Sequence, residues 1–404
     1  MTKPSAQHAQ PIAIIGGGFT GLSAATYLAQ AGVNVVLIEQ AKFGDGASGR
    51  NGGQMGTGQR AWAEEQEEEL GLERAKALFA IAEDAKRNMH DFAAEHGIDI
   101  GYCPGQLSVI HKKRYRDDYR RHAAVMAEKF DYPHISYMDR EETAQRVGSS
   151  FFHGGIRDTG TGHIHPMKLV IGTAKAAAAA GAVIHEGSCV HHVAPGLVQT
   201  ADGRVKADHV ILAGNGYLGT LDRKVLARVI PINNFVIATE PLGAGAAQVL
   251  TEDVAVADSR FVVNYFRLSH DRRLLFGGGE SYGYRFPKDI AAKVRRPMAE
   301  IFPHLKDVRI DYAWGGTLAI TMKRLPFLAR VAPGVLSASG YSGHGVGTAT
   351  HAGWLMARAI MGEQEGFETM SALPAPAFPG GGMMRTPLLT LAMSWYALRD
   401  RLGI

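Results

Sequence analysis

Residues 11–21 are Pro-Ile-Ala-Ile-Ile-Gly-Gly-Gly-Phe-Thr-Gly, and residues 22–39 continue Leu-Ser-Ala-Ala-Thr-Tyr-Leu-Ala-Gln-Ala-Gly-Val-Asn-Val-Val-Leu-Ile-Glu. An apolar run, a glycine turn, an Ala/Leu-rich stretch ending at Gly32 and a second apolar run predict strand, helix and strand. The second run, Val33 to Glu39, is apolar on both faces, as buried parallel strands are. This stretch therefore predicts the beginning of a parallel α/β sheet.

The glycine turn matches a dinucleotide-binding pattern. Gly16, Gly18 and Gly21 fit G-x-G-x-x-G between a strand and a helix, where that pattern acts. Gly16 permits the tight turn, Gly18 lets backbone N–H groups approach a pyrophosphate at the helix N-terminus, and Gly21 allows close packing. Glu39 follows Gly21 by 18 residues, and its carboxylate suits ribose hydroxyls and repels a 2′-phosphate. The unit argues against NADP and does not separate NAD from FAD.

A second glycine-rich loop follows the second strand. Residues 46–54 are Gly-Ala-Ser-Gly-Arg-Asn-Gly-Gly-Gln. A bare NAD domain has no need of this loop. Ser48 and the loop amides suit phosphate oxygens, and Arg50 suits a negatively charged cofactor. The alternative is a surface loop with a solvated arginine.

Two later segments have the same character. An apolar strand ends in Ala213-Gly214-Asn215, and the backbone of Val190 before it suits an adenine edge. Residues 340–347 are Gly-Tyr-Ser-Gly-His-Gly-Val-Gly and open a helix, whose dipole favours negative charge on a reduced ring. His344 is a candidate positioning group. The alternatives are an ordinary buried strand and a glycine loop that only packs.

Composition excludes several function classes. The 404 residues are 46% apolar and 20% charged, with a formal net charge of +4, as in a globular protein. No dense Lys/Arg run with aromatics predicts nucleic-acid binding. No run reaches about 18 consecutive apolar residues, and residues 1–11 lack the apolar core of a signal peptide. We expect no integral membrane segment and a cytoplasmic location; no feature selects an oligomeric state.

Neither cysteine nor histidine spacing predicts a metal. Cys103 and Cys189 are far apart and form neither a disulfide framework nor a zinc motif. Histidines near turns, as at His163 and His165, are more often structural. The prediction is no metal.

Nucleotide-type signals at the start, middle and end, with strand-rich segments between them, predict two interleaved domains. We expect an α/β chain, α+β overall, with a Rossmann-like nucleotide-binding domain and a β-sheet-rich substrate domain. The nucleotide-binding domain takes residues 1–96, 161–225 and 319–404, the last including an apolar C-terminal helix over residues 387–398. The substrate domain takes residues 97–160 and 226–318.

The order and spacing of these motifs resemble the D-amino-acid-oxidase superfamily of FAD enzymes. Several segments are similar to the branch that contains γ-glutamylputrescine oxidoreductases. They are residues 46–54, Trp314-Gly-Gly316 with Pro326, residues 340–345, residues 261–269 with 275–278, and the tail at 378–381, Arg385 and 391–400. The resemblance covers nearly the whole chain.

The resemblance implies FAD-dependent oxidation of a C–N bond in a small amine or amino acid. A hydride passes to flavin N5, and the imine product is hydrolysed. Relatives that attach flavin covalently use a cysteine near the C-terminal region, so we expect non-covalent FAD. The predicted cofactor-binding residues are Gly16, Gly18, Phe19, Thr20, Gly21, Glu39, Gln40, Ala47, Ser48, Arg50, Asn51, Gly52, Gly53, Gln54, Val190, Ala213, Gly214, Asn215, Gly316, Ser342, Gly343, His344, Gly345 and Val346.

Substrate contacts are predicted from strand alternation. Tyr265 and Arg267 fall on one face of a substrate-domain strand, where Arg267 suits a substrate carboxylate and Tyr265 and His344 suit substrate positioning. Surface exposure is the alternative for both strand residues. Met55 suits a place near the flavin or simple packing.

Several functional alternatives stay open. Within the enzymes these are a γ-glutamylputrescine-type amine oxidase, an amino-acid oxidase or dehydrogenase of the glycine, sarcosine or D-amino-acid type, and an NAD dehydrogenase with one Rossmann domain. A non-catalytic flavin-binding subunit is a further alternative. Dioxygen or another acceptor takes the electrons.

Overall fold

The computed structural model describes residues 10–282 and 285–379, so the predicted helix over residues 387–398 lies outside the described residues. The strands are β1 (Ile12–Ile15), β2 (Val35–Ile38), β3 (Cys103–Val109), β4 (Ile135–Met138), β5 (Gly155–His163), β6 (Val183–His185), β7 (Val190–Ala194), β8 (Leu197–Thr200), β9 (Arg204–Lys206), β10 (His209–Leu212), β11 (Ile230–Thr239), β12 (Ala255–Asp258), β13 (Tyr265–Leu268), β14 (Leu274–Tyr282), β15 (Ile310–Ile320), β16 (Phe327–Ala332) and β17 (Val335–Ser339). The helices are α1 (Phe19–Gln30), α2 (Ala63–Leu70), α3 (Leu72–Glu95), α4 (Arg116–Lys129), α5 (Arg140–Arg146), α6 (Pro166–Ala179), α7 (Arg223–Leu226), α8 (Ile290–Ile301), α9 (Gly345–Ile360) and α10 (Glu365–Ser371).

A six-stranded sheet carries the nucleotide-binding signals. Its order is β16-β17-β10-β1-β2-β6, with parallel pairing except between β16 and β17. Apolar side chains of α1, α6 and α9 pack on one face in a single core. A three-stranded sheet of β7, β8 and β9 contributes to the core on the other face. Burial on both faces explains why β1 and β2 are apolar at successive positions.

Glycines set how closely α1 approaches its neighbours. A Cβ on Gly21 would lie 1.9 Å from the carbonyl oxygen of Gly16, and a Cβ on Gly353 of α9 would lie 2.2 Å from the carbonyl oxygen of Thr20. Gly16 adopts φ +108°, which favours glycine. The hydroxyls of Thr20 and Tyr341 are 2.7 Å apart across the same contact. The N-terminal ends of α1 and α9 are therefore held side by side.

The substrate-domain prediction corresponds to an eight-stranded mixed sheet. Its order is β15-β11-β14-β13-β12-β3-β5-β4, and α8 packs against it around a second core. Strands of the six-stranded sheet come from residues 12–38, 183–212 and 327–339, and those of the eight-stranded sheet from residues 103–163 and 230–320. The mixed α/β class is confirmed, and we retain the division into five segments as a proposal.

Several local predictions differ from the structure. The charge and period of residues 61–96 predict one helix, whereas the structure divides this stretch at Gly71 (φ +83°) into α2 and α3. α9 begins at Gly345, inside the predicted glycine loop. β4, α5 and β5 were not predicted, because residues 131–162 show no sustained period. Within the described ranges, no helix has the length and apolar character needed to cross a bilayer.

We expect Gly353→Ala to destabilise the protein by several kcal/mol, because the new methyl group would lie 2.2 Å from the Thr20 carbonyl oxygen. Gly347→Ala in the same helix is the matched control. Its Cβ would meet only the Ala85 Cβ at 3.9 Å. Better helix propensity should leave its stability unchanged or raise it by up to about 1 kcal/mol. Thermal unfolding of both variants tests this; equal losses would contradict the packing argument.

Burial of His351 predicts acid sensitivity. Burial, with Arg358 nearby, lowers the pKa of its imidazole from 6.5 to about 4. Between these values the unfolded state binds the extra proton, so stability is present above pH 6.5 and falls toward pH 4. His351→Gln should lose about 2 kcal/mol less unfolding free energy than the wild type between pH 6.5 and 4.5, measured by urea denaturation. The exposed His191→Gln is the control; a slope unchanged in His351→Gln would refute the assignment.

Candidate active site

A cavity of about 1060 Å³ lies between the two large sheets and opens at the N-terminal ends of α1 and α9. Small-molecule sites usually enclose about 300–1,000 Å³, so it suits a large cofactor together with a substrate. The predicted cofactor residues that line it are Gly18, Phe19, Thr20, Ala47, Ser48, Asn51, Gly52, Gly53, Gln54, Ala213, Asn215, Ser342, Gly343, His344, Gly345 and Val346. These positions come from four separate stretches of sequence and converge on one space.

The first turn of α1 lies at this cavity and has no capping side chain of its own. Gly18 is its N-cap residue and offers no side-chain cap, and the first turn carries no acidic residue. The Phe19 N–H donates to Ser48 Oγ at 3.0 Å. A Cβ on Gly18 would lie 2.8 Å from that oxygen and fill the space in front of the helix. The positive helix end therefore faces a cradle suited to an anion.

Glu39 lies at the end of β2, beside the glycine turn. Its Oε2 accepts the Gly17 N–H at 2.6 Å, and its Oε1 accepts the Ala41 N–H at 2.9 Å. These bonds fix the carboxylate at the edge of the turn. That position suits the ribose role predicted for Glu39, which stays a prediction.

The glycine loop over residues 46–54 joins the two sheets. Arg50 donates from Nη1 to the Gly315 carbonyl at 3.3 Å, and Trp314 Nε1 donates to the Arg50 carbonyl at 3.0 Å. Asn51 accepts the Gly53 N–H at 2.8 Å and shapes the turn. A Cβ on Gly53 would lie 2.0 Å from the Ile164 carbonyl oxygen. The loop is therefore a seam of hydrogen bonds between the two sheets. The alternative of a surface loop with a solvated arginine does not describe it.

The glycine loop over residues 340–347 and Asn215 form another part of the cavity wall. Asn215 Oδ1 accepts the Gly340 N–H at 2.9 Å and ties the ends of β10 and β17 together. His344 precedes α9 as its N-cap residue, and α9 has no side-chain cap. Burial, followed by Arg60, lowers the pKa of the His344 imidazole to about 4. His344 is therefore neutral at pH 7, as suits a positioning group.

Tyr265 and Arg267 lie in different surroundings, although strand alternation predicts that both lie on one face of β13. Tyr265 lines the cavity, and its hydroxyl donates to Asn234 Oδ1 at 2.7 Å. Arg267 is buried and donates to the carbonyls of Gly52 at 2.6 Å and Ile164 at 3.4 Å. The guanidinium is used to hold the glycine loop. The carboxylate-binding role predicted for Arg267 therefore does not fit the structure.

Other predicted residues lie behind the lining. Met55 is buried, and its N–H donates to the Gly162 carbonyl at 3.0 Å. Val190 begins β7 in the three-stranded sheet. The predicted cofactor residues outside the lining are Gly16, Gly21, Glu39, Gln40, Arg50, Val190, Gly214 and Gly316.

Known proteins share this architecture. The family model described as FAD-dependent oxidoreductase, DAO, matches residues 11–359. The chain belongs to this family. It is an FAD-dependent flavoprotein oxidoreductase that acts on CH–NH or CH–NH₂ bonds.

Relatives of this flavoprotein extend over nearly its full length. A probable oxidoreductase OrdL from Rhizobium meliloti (strain 1021) is 53% identical over 96% of this chain and 92% of its own. Gamma-glutamylputrescine oxidoreductase from Escherichia coli (strain K12) is 36% identical over 97% of this chain and 93% of its own. The crystal structure of glycine oxidase from Geobacillus kaustophilus superposes with a TM-score of 0.75 at 22% identity, over 87% of this chain and 94% of that one. The last likeness concerns the fold.

The residues fit FAD. A glycine cradle and an uncapped helix N-terminus at α1 suit the pyrophosphate, and the uncapped α9 N-terminus suits a ring that becomes negatively charged on reduction. Cys103 and Cys189 are both absent from the cavity lining.

The family site contains a wall that sequence reasoning missed. Trp62 stacks on His122 with ring centroids 4.4 Å apart and contacts Tyr119 edge-on at 5.0 Å. His122 Nδ1 lies 2.8 Å from a carboxylate oxygen of Glu64. α2, with the sequence AEEQEEEL, lines the cavity through Glu64, Glu65 and Glu68. The run of glutamates was the available signal, but its charge and period predict only a helix.

Three metal-type donors meet outside the cavity. His163 Nε2 lies 3.1 Å from Asp253 Oδ1, and Cys103 Sγ lies 3.4 Å from Asp253 Oδ2. Burial, followed by Asp253, raises the pKa of the Cys103 thiol to about 11. A protonated thiol is a poor metal ligand at neutral pH. The absence of a metal stays a prediction.

We expect Gly18→Ala to weaken FAD binding about tenfold or more, because its Cβ occupies the cradle 2.8 Å from Ser48 Oγ. FAD content by absorbance and titration of the apoprotein measure the effect. Gly46→Ala is the matched control, since its Cβ would meet only the Tyr217 ring at 3.6 Å. If both variants retain FAD equally, α1 does not form the predicted anion cradle.

Proposed function

We propose that the protein oxidises the C–N bond of γ-glutamylputrescine or a related polyamine derivative. The full-length similarity to gamma-glutamylputrescine oxidoreductase carries this proposal. The cavity adds chemical support. Glu64, Glu65 and Glu68 suit a cationic chain, and Trp62 and Tyr119 suit its methylene groups. Glycine oxidases, at 22% and 23% identity, support an amino-acid substrate more distantly.

The side chains prepare the amine for oxidation. FAD, when bound, would accept one hydride, which carries both electrons, from the carbon of the C–N bond. Tyr265 is fixed by Asn234 and gives the cavity a rigid wall, while neutral His344 positions groups without adding charge. The carboxylates of α2 raise the local concentration of cationic amine. Hydrolysis of the imine formed from a primary amine yields an aldehyde and ammonia.

We propose that FAD is held without a covalent bond. Both cysteines are free and neither lines the cavity. Free thiols also suit a reducing, cytoplasmic compartment. Dioxygen or another acceptor reoxidises the flavin, and repeating the reaction in air against anaerobic conditions distinguishes the two.

An anaerobic absorbance spectrum tests the function. Oxidised flavin should give bands at about 375 and 450 nm, and γ-glutamylputrescine should bleach the longer-wavelength band because the amine reduces the flavin. Acid precipitation should release the flavin into the supernatant if it is non-covalent.

Other amines provide the comparison. Bleaching by glycine, sarcosine or a D-amino acid, without bleaching by γ-glutamylputrescine, would replace the proposal with an amino-acid oxidase or dehydrogenase. Flavin that no amine reduces would indicate a non-catalytic flavin-binding subunit.

A further inference from the structure

Arg60 places a positive charge in the cavity wall. It follows the glycine-rich stretch over residues 46–58, precedes α2 and lines the cavity. Arg60 is only partly accessible, and burial lowers the pKa of its guanidinium, while the Coulombic influence of Tyr119 and Glu65 acts in the opposite direction. It is also close enough to His344 to lower the pKa of that imidazole.

Within residues 10–282 and 285–379, the Arg60 guanidinium makes no hydrogen bond and no ion pair. Other arginines of the lining do have partners. Arg260 pairs with Asp258, Arg121 pairs with Asp118 at 2.6 Å, and Arg114 bonds the Tyr115 hydroxyl at 2.9 Å. Removing a cation from water without a counter-charge costs free energy. That cost is offset when an anion enters the cavity.

We propose that Arg60 binds a carboxylate of the substrate, so that the enzyme selects amines that carry an acidic group at the end remote from the oxidised C–N bond. This inference rests on the proposed function and deepens it. A planar guanidinium binds a carboxylate through two parallel N–H···O bonds, which fixes orientation as well as affinity. The glutamates of α2 supply the opposite charge for the amine-bearing chain.

Selectivity follows from the unpaired state of Arg60. A free diamine, or a diamine acylated by a group that has no carboxylate, offers it no anion, and the guanidinium then stays desolvated without a partner. A site built around a polar group rejects analogues that leave this group unpaired. A γ-glutamyl amine satisfies both the cation and the glutamates of the wall.

The test compares two substrates that share the reacting amine. γ-Glutamylputrescine carries a carboxylate, whereas N-acetylputrescine keeps the amide bond but has an acetyl group in place of the glutamyl group and therefore carries no carboxylate. We expect Arg60→Gln to lower kcat/KM for γ-glutamylputrescine about 10- to 100-fold, chiefly through KM. N-acetylputrescine turnover should change less than about twofold. Arg60→Lys should recover part of the loss, and Arg204→Gln, at an exposed arginine of β9, is the matched control.

A binding measurement works without turnover. Glutarate, a dicarboxylate that has no amine to oxidise, should perturb the flavin absorbance of the wild-type holoenzyme. Arg60→Gln should bind it about tenfold more weakly. If no amine bleaches the flavin but glutarate binding depends on Arg60, the proposed function fails and carboxylate binding stands.

Three results would overturn the inference. Equal losses with both substrates would indicate that Arg60 acts on the flavin. A lowered FAD content in Arg60→Gln and Arg60→Lys would place it on the cofactor. Unchanged glutarate affinity in Arg60→Gln, while γ-glutamylputrescine still bleaches the wild type, would leave the function and remove Arg60 from it.

Discussion

Close approach of α1 to the chain around it is the constraint on which the site depends. Gly21 lies against the Gly16 carbonyl and Gly353 against the Thr20 carbonyl, at separations that a methyl group prevents. The ends of α1 and α9 therefore reach the same cavity. At neither end does the side chain of the N-cap residue cap the helix, so two positive dipole ends face one space. This arrangement suits an elongated cofactor with negative charge at both its phosphates and its reduced ring.

The glycine loop over residues 46–54 converts two sheets into one site. Its contacts to the eight-stranded sheet include bonds from a side-chain donor to a backbone carbonyl, as between Arg50 and Gly315 and between Trp314 and Arg50. Arg267 strengthens the same seam by bonding the Gly52 carbonyl. These bonds hold the loop between the two sheets. The cavity is large, and its selectivity is left to the few side chains that project into it.

Features set by neighbouring residues along the chain could be predicted from the sequence. The first 39 residues fixed strand, helix and strand, and the glycine motifs located most of the cavity lining. The fates of two arginines could not be predicted, because their surroundings come from distant segments. Arg267 donates its hydrogen bonds to carbonyls 103 and 215 residues away, whereas Arg60 lines the cavity. Strand alternation predicts on which face of the sheet a side chain lies, but it does not predict which backbone carbonyls that side chain will contact. β4, α5 and β5 were not predicted because residues 131–162 show no sustained hydrophobic period.

The order of strands in the six-stranded sheet has a consequence for biosynthesis. β1 pairs with β10, whose first partner residue, His209, lies 197 positions after Ile12. At ribosomal rates of about 5–20 residues per second, β1 waits about 10–40 seconds for that neighbour. β17, which pairs with β10, emerges later still. The nascent chain therefore carries an apolar strand that lacks one of its two neighbours for about half of its synthesis. Pairing over so long a sequence separation forms slowly, and an unpaired apolar strand edge is open to aggregation until it forms.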